Sequence, residues 1–349
     1  MHVFLACASR AARIASMTIL LLVCSAASFL AHQQPAPLRL VSTAWPPFTN
    51  ASGQPRFALD LVETALGRVG VSAQTAIVSA AEFTPSLLSP RFDGSAAAWK
   101  DAEREQVLVF SEPYLENRLV LVARHGADVS AKTLAALEGK RVAIVEGYSY
   151  GDAIEGAGGK PAYVRSRSEE DSVSQLLKGN VEYTLMDELV VQYIVEHYPN
   201  ESRARLQIGS TPLVTRALHL AVRRSRPDAG AIIKGFNAQL RSMIADRTYH
   251  RLLHVDWIQA DVNGDGIPEN VPVTDHPGPS EPQRVYALLS TPPHATLTAT
   301  KPETPTKPGF YVGGNIYSDW ASVPASYKEV NPEPPDPRRS TGSIFRFSW

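Results

Sequence analysis

The sequence predicts an α/β protein of two lobes followed by a proline-rich, largely irregular C-terminal tail. Three observations predict it. Apolar β-like runs alternate with amphipathic helical segments over residues 38 to 257. That alternation occurs as two successive series, which suggests two lobes. Composition then changes near Trp257, and fifteen of the 27 prolines lie beyond it. Proline cannot donate to a sheet ladder and breaks helices, so stretches such as Asn331-Pro-Glu-Pro-Pro-Asp-Pro337 read as extended or disordered.

The elements follow in order. Leu38 to Ser42 reads as a strand, and Ala58 to Val69 as a helix with Leu59, Val62, Leu66 and Val69 on one face. Thr75–Val78 is a strand and Glu82 to Leu88 a short helix. Gly94 to Ala98 is a buried strand of small residues, and Arg118 to Ala123 a strong strand. The second series opens with a helix at Leu134, a strand at Arg141–Val145 and a helix over Tyr150 to Glu155. Ser172 to Lys178 is helical; Tyr183 to Met186 and Leu218 to Arg223 are strands. Ala229 to His254 reads as one long amphipathic helix with Ile232, Phe236, Leu240, Met243 and Ile244 inward. In the tail, the aromatic island Gly309 to Trp320 either docks on the main body or lies loose on the surface.

The first 31 residues read as a secretory signal peptide: Arg10 and Arg13, an apolar run from Met17 to Val23, then Ser25, Ala26 and Ala27. An uncleaved anchor is the competing reading, since Ile14 to Ala31 nearly supplies the apolar length of a membrane span. Val23 before Cys24 is a poor lipoprotein site, so lipidation is not favoured. The protein is expected in the periplasm. The two cysteines, Cys7 and Cys24, both lie in this leader, which leaves no thiol for disulfides, nucleophilic catalysis or metal ligation in the processed chain. The formal net charge of −1 becomes −3 when Arg10 and Arg13 leave with the leader, and no basic block argues for nucleic acid.

Two separated stretches carry the chemistry. Phe92 to Tyr114 includes Arg104, whose guanidinium offers two parallel hydrogen bonds to a carboxylate. Gly179 to Asp187 ends in a carboxylate suited to an ammonium group, and that Asp187 equally suits a helix N-cap before Glu188-Leu-Val-Val. The competing reading of Arg104 is a surface arginine paired with Asp101, Glu103 or Glu105. An arginine and an aspartate on two lobes would read an amino acid from both ends.

These stretches belong to a larger resemblance. Trp45-Pro-Pro-Phe48, Phe57-Ala-Leu-Asp-Leu61, Arg104 with Phe110-Ser-Glu-Pro-Tyr114, Leu137 to Val145 with Gly147-Tyr-Ser149, and Gly179 to Asp187 fall in one order. In that order they resemble the extracellular solute-binding proteins of family 3, the amino-acid-type receptors of ABC importers. The resemblance spans Leu38 to Trp257. It implies a two-lobed periplasmic binding protein of type II, a Venus flytrap. Lobe 1 would be residues 38–124 plus 214–257, and lobe 2 residues 125–213. Residues 258–349 would be the tail. The hinge crossings would lie near Ala123-Arg-His125 and Ser210 to Val214. The expected partners are a small polar, amino-acid-like solute and an ABC permease in the inner membrane, with the receptor a monomer and neither enzyme nor cofactor protein.

The resemblance also assigns expected roles. Arg104 would bind the ligand's α-carboxylate, Asp187 its ammonium, and Ser149 at a helix start would add bonds to the carboxylate. Trp45 and Trp99 would sandwich the ligand or stack on a cation, against the plainer reading of core tryptophans. The family usually carries small hydroxyl residues five and seven positions before the arginine and threonine three before it. Trp99, Ala97 and Asp101 stand there instead. These departures put a carboxylate beside the anion site and point to a bulkier, cationic or non-amino-acid solute.

One further constellation, Asp261 to Glu269, starts like a calcium loop, with oxygens at Asp261, Asn263 and Asp265 and then Gly266. Pro272 stands where an EF-hand needs glutamate, so the expectation is at most a shortened loop with Glu269, holding a structural Ca2+, against an ordinary Asp/Asn/Gly turn. No phosphate loop, dinucleotide fingerprint or zinc-protease motif occurs. Two other function classes remain open: a sensory or structural binding module, and a dehydratase-like enzyme on the same fold.

Overall fold

The computed structural model describes residues 36–156, 161–253, 255–263, 265, 267–282, 285–287 and 308–329. The expected signal peptide, the calcium-loop glycines Gly264 and Gly266, and the last prolines of the tail lie outside them.

The chain builds β1 (Leu38–Thr43), α1 (Phe57–Arg68), β2 (Ala73–Val78), α2 (Ala80–Leu88), β3 (Gly94–Trp99), α3 (Ala102–Val107) and β4 (Leu108–Phe110). A long strand, β5 (Leu115–Arg124), leads into the second series. That series holds β6 (Arg141–Val145), α4 (Asp152–Glu155), β7 (Ala162–Ser166), α5 (Glu169–Leu177), β8 (Tyr183–Asp187), α6 (Glu188–His197), α7 (Pro199–Arg205) and β9 (Leu206–Ile208). A second long strand, β10 (Val214–Arg223), returns to α8 (Ala229–Ala245) and α9 (Thr248–Leu253). The strands of both series form one sheet in the order β2-β1-β3-β10-β5-β8-β6-β7, with β4 on β10 and β9 on β5.

The pairing directions explain the bipartite plan. β1 pairs parallel with β2 and β3, and β6 pairs parallel with β7 and β8, as helix crossovers require. The middle is antiparallel: Leu115 to Leu119 of β5 faces Leu218 to Val214 of β10, and Leu119 to Ala123 faces Asp187 to Tyr183 of β8. The two long strands therefore link the two ends of the sheet, called lobe 1 and lobe 2 below. β3 is buried throughout, and its small residues follow from this crowding. A Cβ on Gly94 would stand 1.9 Å from the Ala221 carbonyl oxygen of β10.

Leu59, Val62 and Leu66 of α1 are buried as their spacing predicts, whereas Val69 falls at the C-cap and is exposed. Leu134–Leu137 is a 3-10 turn rather than a helix. The expected helix from Ala229 to His254 is broken. Asp246 caps α8, Arg247 takes φ +66°, and Asp246 Oδ1 accepts the Thr248 N–H at 3.0 Å to start α9. An Asx turn thus replaces the helical ladder at that point.

The tail contributes a second sheet of five strands. Its strands are β11 (Trp257–Ala260), β12 (Glu269–Pro272), β13 (Tyr286–Ala287), β14 (Phe310–Val312) and β15 (Asn315–Tyr317), short pieces joined by irregular chain. The aromatic island is docked: Phe310, Val312 and Val323 pack with Trp257, and Trp320 meets Trp257 edge-on at 5.7 Å. Tyr286 also reaches the main sheet, donating its hydroxyl to the Glu116 carbonyl of β5. Among the described residues no helix is long and apolar enough to cross a membrane.

Candidate functional site

Lobe 1 presents its site residues at the ends of parallel strands, where open α/β sheets place ligands. After β1 the chain makes a tight turn. Trp45 N–H donates to the Thr49 carbonyl at 2.8 Å, and Thr49 Oγ1 donates back to the Thr43 carbonyl at 2.7 Å. The turn holds Trp45 over the strand ends. β3 ends at Trp99, and Asp101 then caps α3 by accepting the Arg104 N–H at 2.8 Å. This short helix turns Arg104 back toward the sheet, where it is only 3% exposed. Its Nη1 donates to the Trp99 carbonyl at 2.8 Å and its Nη2 to Thr84 Oγ1 at 2.9 Å. Asp101 Oδ2 lies 3.3 Å from Arg104 Nε, so one carboxylate both caps the helix and neutralises the guanidinium. The sequence-level alternative, an arginine paired with Asp101, is thus realised in a buried rather than a surface setting.

Lobe 2 answers from the loop after β6. Gly147 and Gly151 both take positive φ, +78° and +76°, and bracket Tyr148, Ser149 and Tyr150. Tyr150 Oη accepts the Val145 N–H at 2.9 Å, which fixes the loop to its strand. Thr84 Oγ1 donates to the Gly147 carbonyl at 3.1 Å, so a chain of two bonds links Arg104 to the facing lobe.

Trp45, Trp99, Arg104, Tyr148 and Ser149 line one cavity, together with Ser42, Thr43, Phe83, Ala97 and Leu218. Four of the expected site residues therefore meet: Trp45, Trp99, Arg104 and Ser149. The aromatic rings nearly fill the space. Trp45 and Trp99 are 5.7 Å apart, Tyr148 lies 5.7 Å from Trp45 and 5.6 Å from Trp99, and Tyr150 lies 5.5 Å from Trp99. The remaining volume is about 30 Å3, room for a water molecule or two.

Asp187 stands apart from this lining. It ends β8 and caps α6, with Oδ1 accepting the Leu189 N–H at 2.8 Å. Its Oδ2 accepts from Arg118 N at 3.0 Å and from Asn117 Nδ2 at 3.1 Å, both on the linking strand β5. The helix-cap reading is what the geometry displays. Burial pushes this carboxyl up to about 7, and the donors from Leu189, Asn117 and Arg118 offset part of that push.

Sequence reasoning missed Glu169. It opens α5 in lobe 2 and is 6% exposed. Burial pushes its carboxyl up to about 8, reinforced by the charges of Glu170 and Asp187. The Trp45 indole N–H offsets this in part, and among the described residues Trp45 Nε1 and Glu169 Oε2, both buried, have no other hydrogen-bond partner. The local signal, Ser168-Glu-Glu-Asp171, resembles any capped helix start and hides which acid turns inward.

In the Asp261 to Glu269 segment the described side chains bond to one another and to nearby backbone. Asp265 Oδ1 accepts the Ile267 N–H at 2.7 Å, Asn263 Oδ1 accepts the Asp265 N–H at 2.9 Å, and Asn263 Nδ2 donates to Asp265 Oδ2 at 2.9 Å. Glu269 is buried in β12 and accepts the Val262 N–H at 3.1 Å. Burial, then the charges of Asp265 and Asp261, raise its carboxyl above the usual range. Among the described residues no group of three or more His, Cys, Asp or Glu side chains is placed to hold a metal ion.

Comparison with known proteins completes the picture. A mutant of ArgBP from T. maritima superposes with a TM-score of 0.51 at 26% identity, covering 62% of this chain and 93% of its own. An ancestral arginine-binding protein bound to arginine gives 0.52 at 23% identity, covering 64% and 98%. AbpA, an amino acid ABC transporter substrate-binding protein from Streptococcus pneumoniae bound to L-arginine, gives 0.52 at 16% identity, covering 62% and 92%. The latter two likenesses speak to the fold alone. No curated protein matches the chain. The family model of bacterial extracellular solute-binding proteins, family 3, matches residues 39–260, the whole of the two-ended sheet and its helices. The chain belongs to the bacterial extracellular solute-binding proteins, family 3.

Proposed function

We propose that this protein is a periplasmic receptor that captures an amino acid or related small polar carboxylate and delivers it to an ABC importer. The observation that carries the reading is that Arg104 from lobe 1 and Ser149 from lobe 2 line one cavity. A guanidinium in so dry a site binds a carboxylate more strongly than it would in water. Solute entry requires the aromatic side chains to part, and the strands β5 and β10 are the natural hinge for that motion. The receptor acts as a monomer, and its closed face is what the permease reads.

A second reading, a sensory or structural binding module, has one specific observation in its favour: aromatic side chains leave about 30 Å3 between the lobes. Thermal unfolding against amino acids, opines, polyamines and aromatic acids separates the two. A solute at 100 times its dissociation constant stabilises by about 2.7 kcal/mol. The receptor reading expects such a shift for at least one carboxylate and its loss in Arg104→Ala. No shift across the panel overturns it in favour of the module.

A further inference from the structure

A second cavity, of about 880 Å3, shares no lining residue with the one at the strand ends. Its volume falls in the range of binding pockets, about 300–1,000 Å3. Lobe 1 contributes Phe57, Asp60 and Glu63 from the start of α1, with Leu252 and Asp256 at and after the end of α9. Lobe 2 contributes Gln192, Tyr193 and Glu196 of α6. Four carboxylates, Asp60, Glu63, Glu196 and Asp256, thus stand among apolar side chains, and two guanidiniums, Arg56 and Arg251, line the cavity with them. Arg56 is shared between Asp60 at 2.9 Å and Glu63. Glu196 accepts from the uncharged Gln192 amide at 2.8 Å. The lining carries surplus negative charge beside apolar surface, which suits a basic and aromatic occupant.

The chain itself contains such a stretch. Residues 338–349, Arg338-Arg-Ser-Thr-Gly-Ser-Ile-Phe-Arg-Phe-Ser-Trp349, lie outside the described residues. They hold three arginines, no acid, and the large apolar side chains Ile344, Phe345, Phe347 and Trp349. The structure brings the chain leading to this stretch near the cavity. The carbonyl of Asp256, on the lining, accepts the Val273 N–H at 2.8 Å. Three residues on, His276 Nδ1 lies 3.2 Å from the Ser326 carbonyl oxygen. Residue 330 therefore starts within about 30 Å of Asp256. The proline-rich linker 330–337 then covers about 25 Å at the polyproline rise before the first arginine.

We infer that this cavity is the docking groove of the chain's own segment 338–349, with the arginines toward the acids of α1 and α6 and the aromatic side chains against Phe57, Tyr193 and Leu252. The docked segment touches α1 and α9 of lobe 1 and α6 of lobe 2 at once. This holds whether or not a solute binds at the strand ends.

Disulfide trapping in the full chain tests it. Cys7 and Cys24 are the sequence's two cysteines, and both are first changed to serine. Gln192→Cys, at an exposed position of the lining, is then paired with Ser348→Cys. The control pairs Ser348→Cys with Gln74→Cys, exposed on β2 and outside the lining. Under oxidised glutathione, the Gln192→Cys pair should form an intramolecular disulfide at least about tenfold faster than the control, through its raised effective concentration. Changing Arg338, Arg339 and Arg346 to glutamate in the same chain should bring the rate down to the control's. Equal rates in the two pairs overturn the inference, and so does a fast rate that survives the charge reversal. Disulfide-linked dimers in place of the intramolecular bond assign the groove to the tail of a second copy and overturn it as well.

Discussion

The Trp99 indole N–H donates to Asn117 Oδ1 at 2.7 Å, which joins the wall of the cleft to the long linking strand β5. Asn117 is buried on β5 and passes its own N–H on to Asp187 Oδ2 at 3.1 Å. The aromatic ring that lines the cavity is therefore positioned by the strand that links the two ends of the sheet. Replacing Asn117 by alanine leaves the buried indole without an acceptor and removes one of the three donors to Asp187. The expected loss is about 2–4 kcal/mol of stability, read by urea unfolding. A change below about 0.5 kcal/mol would mean that water replaces the amide without cost.

Stability should decline as pH rises above neutrality. Glu169 and Asp187 are pushed from 4.5 and 3.8 to about 8 and about 7. The folded chain keeps protons that the unfolded chain has released, so each group costs stability progressively up to its folded value. His219 and His250 act in the opposite sense. Burial lowers both from 6.5 to about 4, so they cost stability as pH falls below 6.5. The two pairs offset each other between about pH 4.5 and 6.5, and above that the acids act alone. Chemical denaturation between pH 6.5 and 8 should show a fall in the native protein and a much smaller one in Glu169→Gln. Equal falls in both would contradict the burial of this acid.

Closure depends on a glycine. Gly147 takes φ +78°, and a Cβ there would stand 2.5 Å from the Ala80 carbonyl oxygen across the cleft. Gly147→Ala should lower stability by about 1–2 kcal/mol through the left-handed backbone and hold the lobes apart. Small-angle scattering should report a larger radius of gyration than in the native chain. An unchanged radius would show that Ala80 and its helix yield instead.

The tail is bonded to the linking strand β5. Tyr286 donates its buried hydroxyl to the Glu116 carbonyl, one residue before Asn117. Tyr286→Phe removes that bond while keeping the ring, and should cost about 1 kcal/mol by denaturant unfolding. No measurable cost would make the tail an attachment rather than a brace.

The β/α order was legible because strands and amphipathic helices carry their periods locally. Trp45, Trp99, Arg104 and Ser149 were expected together through the family resemblance, and the structure brings all four to one cavity at the strand ends. The rest depended on distant chain. Nothing near Glu169 in sequence indicates that Trp45 from the other lobe will cover it, and nothing near Asp187 announces the donors from Asn117 and Arg118. The break at Arg247 carries neither glycine nor proline, so the helical pattern of Ala229 to His254 ran through it unmarked. The tail strands are two to four residues long and lie among prolines, too short for any period to register.

The most direct measurement is titration calorimetry of the native chain and Arg104→Ala with the solute that gives the largest thermal shift. The account predicts one site per chain in the native protein and a loss of affinity of about 30-fold or more in the variant, the worth of a buried charge-assisted pair of about 2 kcal/mol or above. Equal affinity in the two proteins would place the solute outside the cleft and contradict the account.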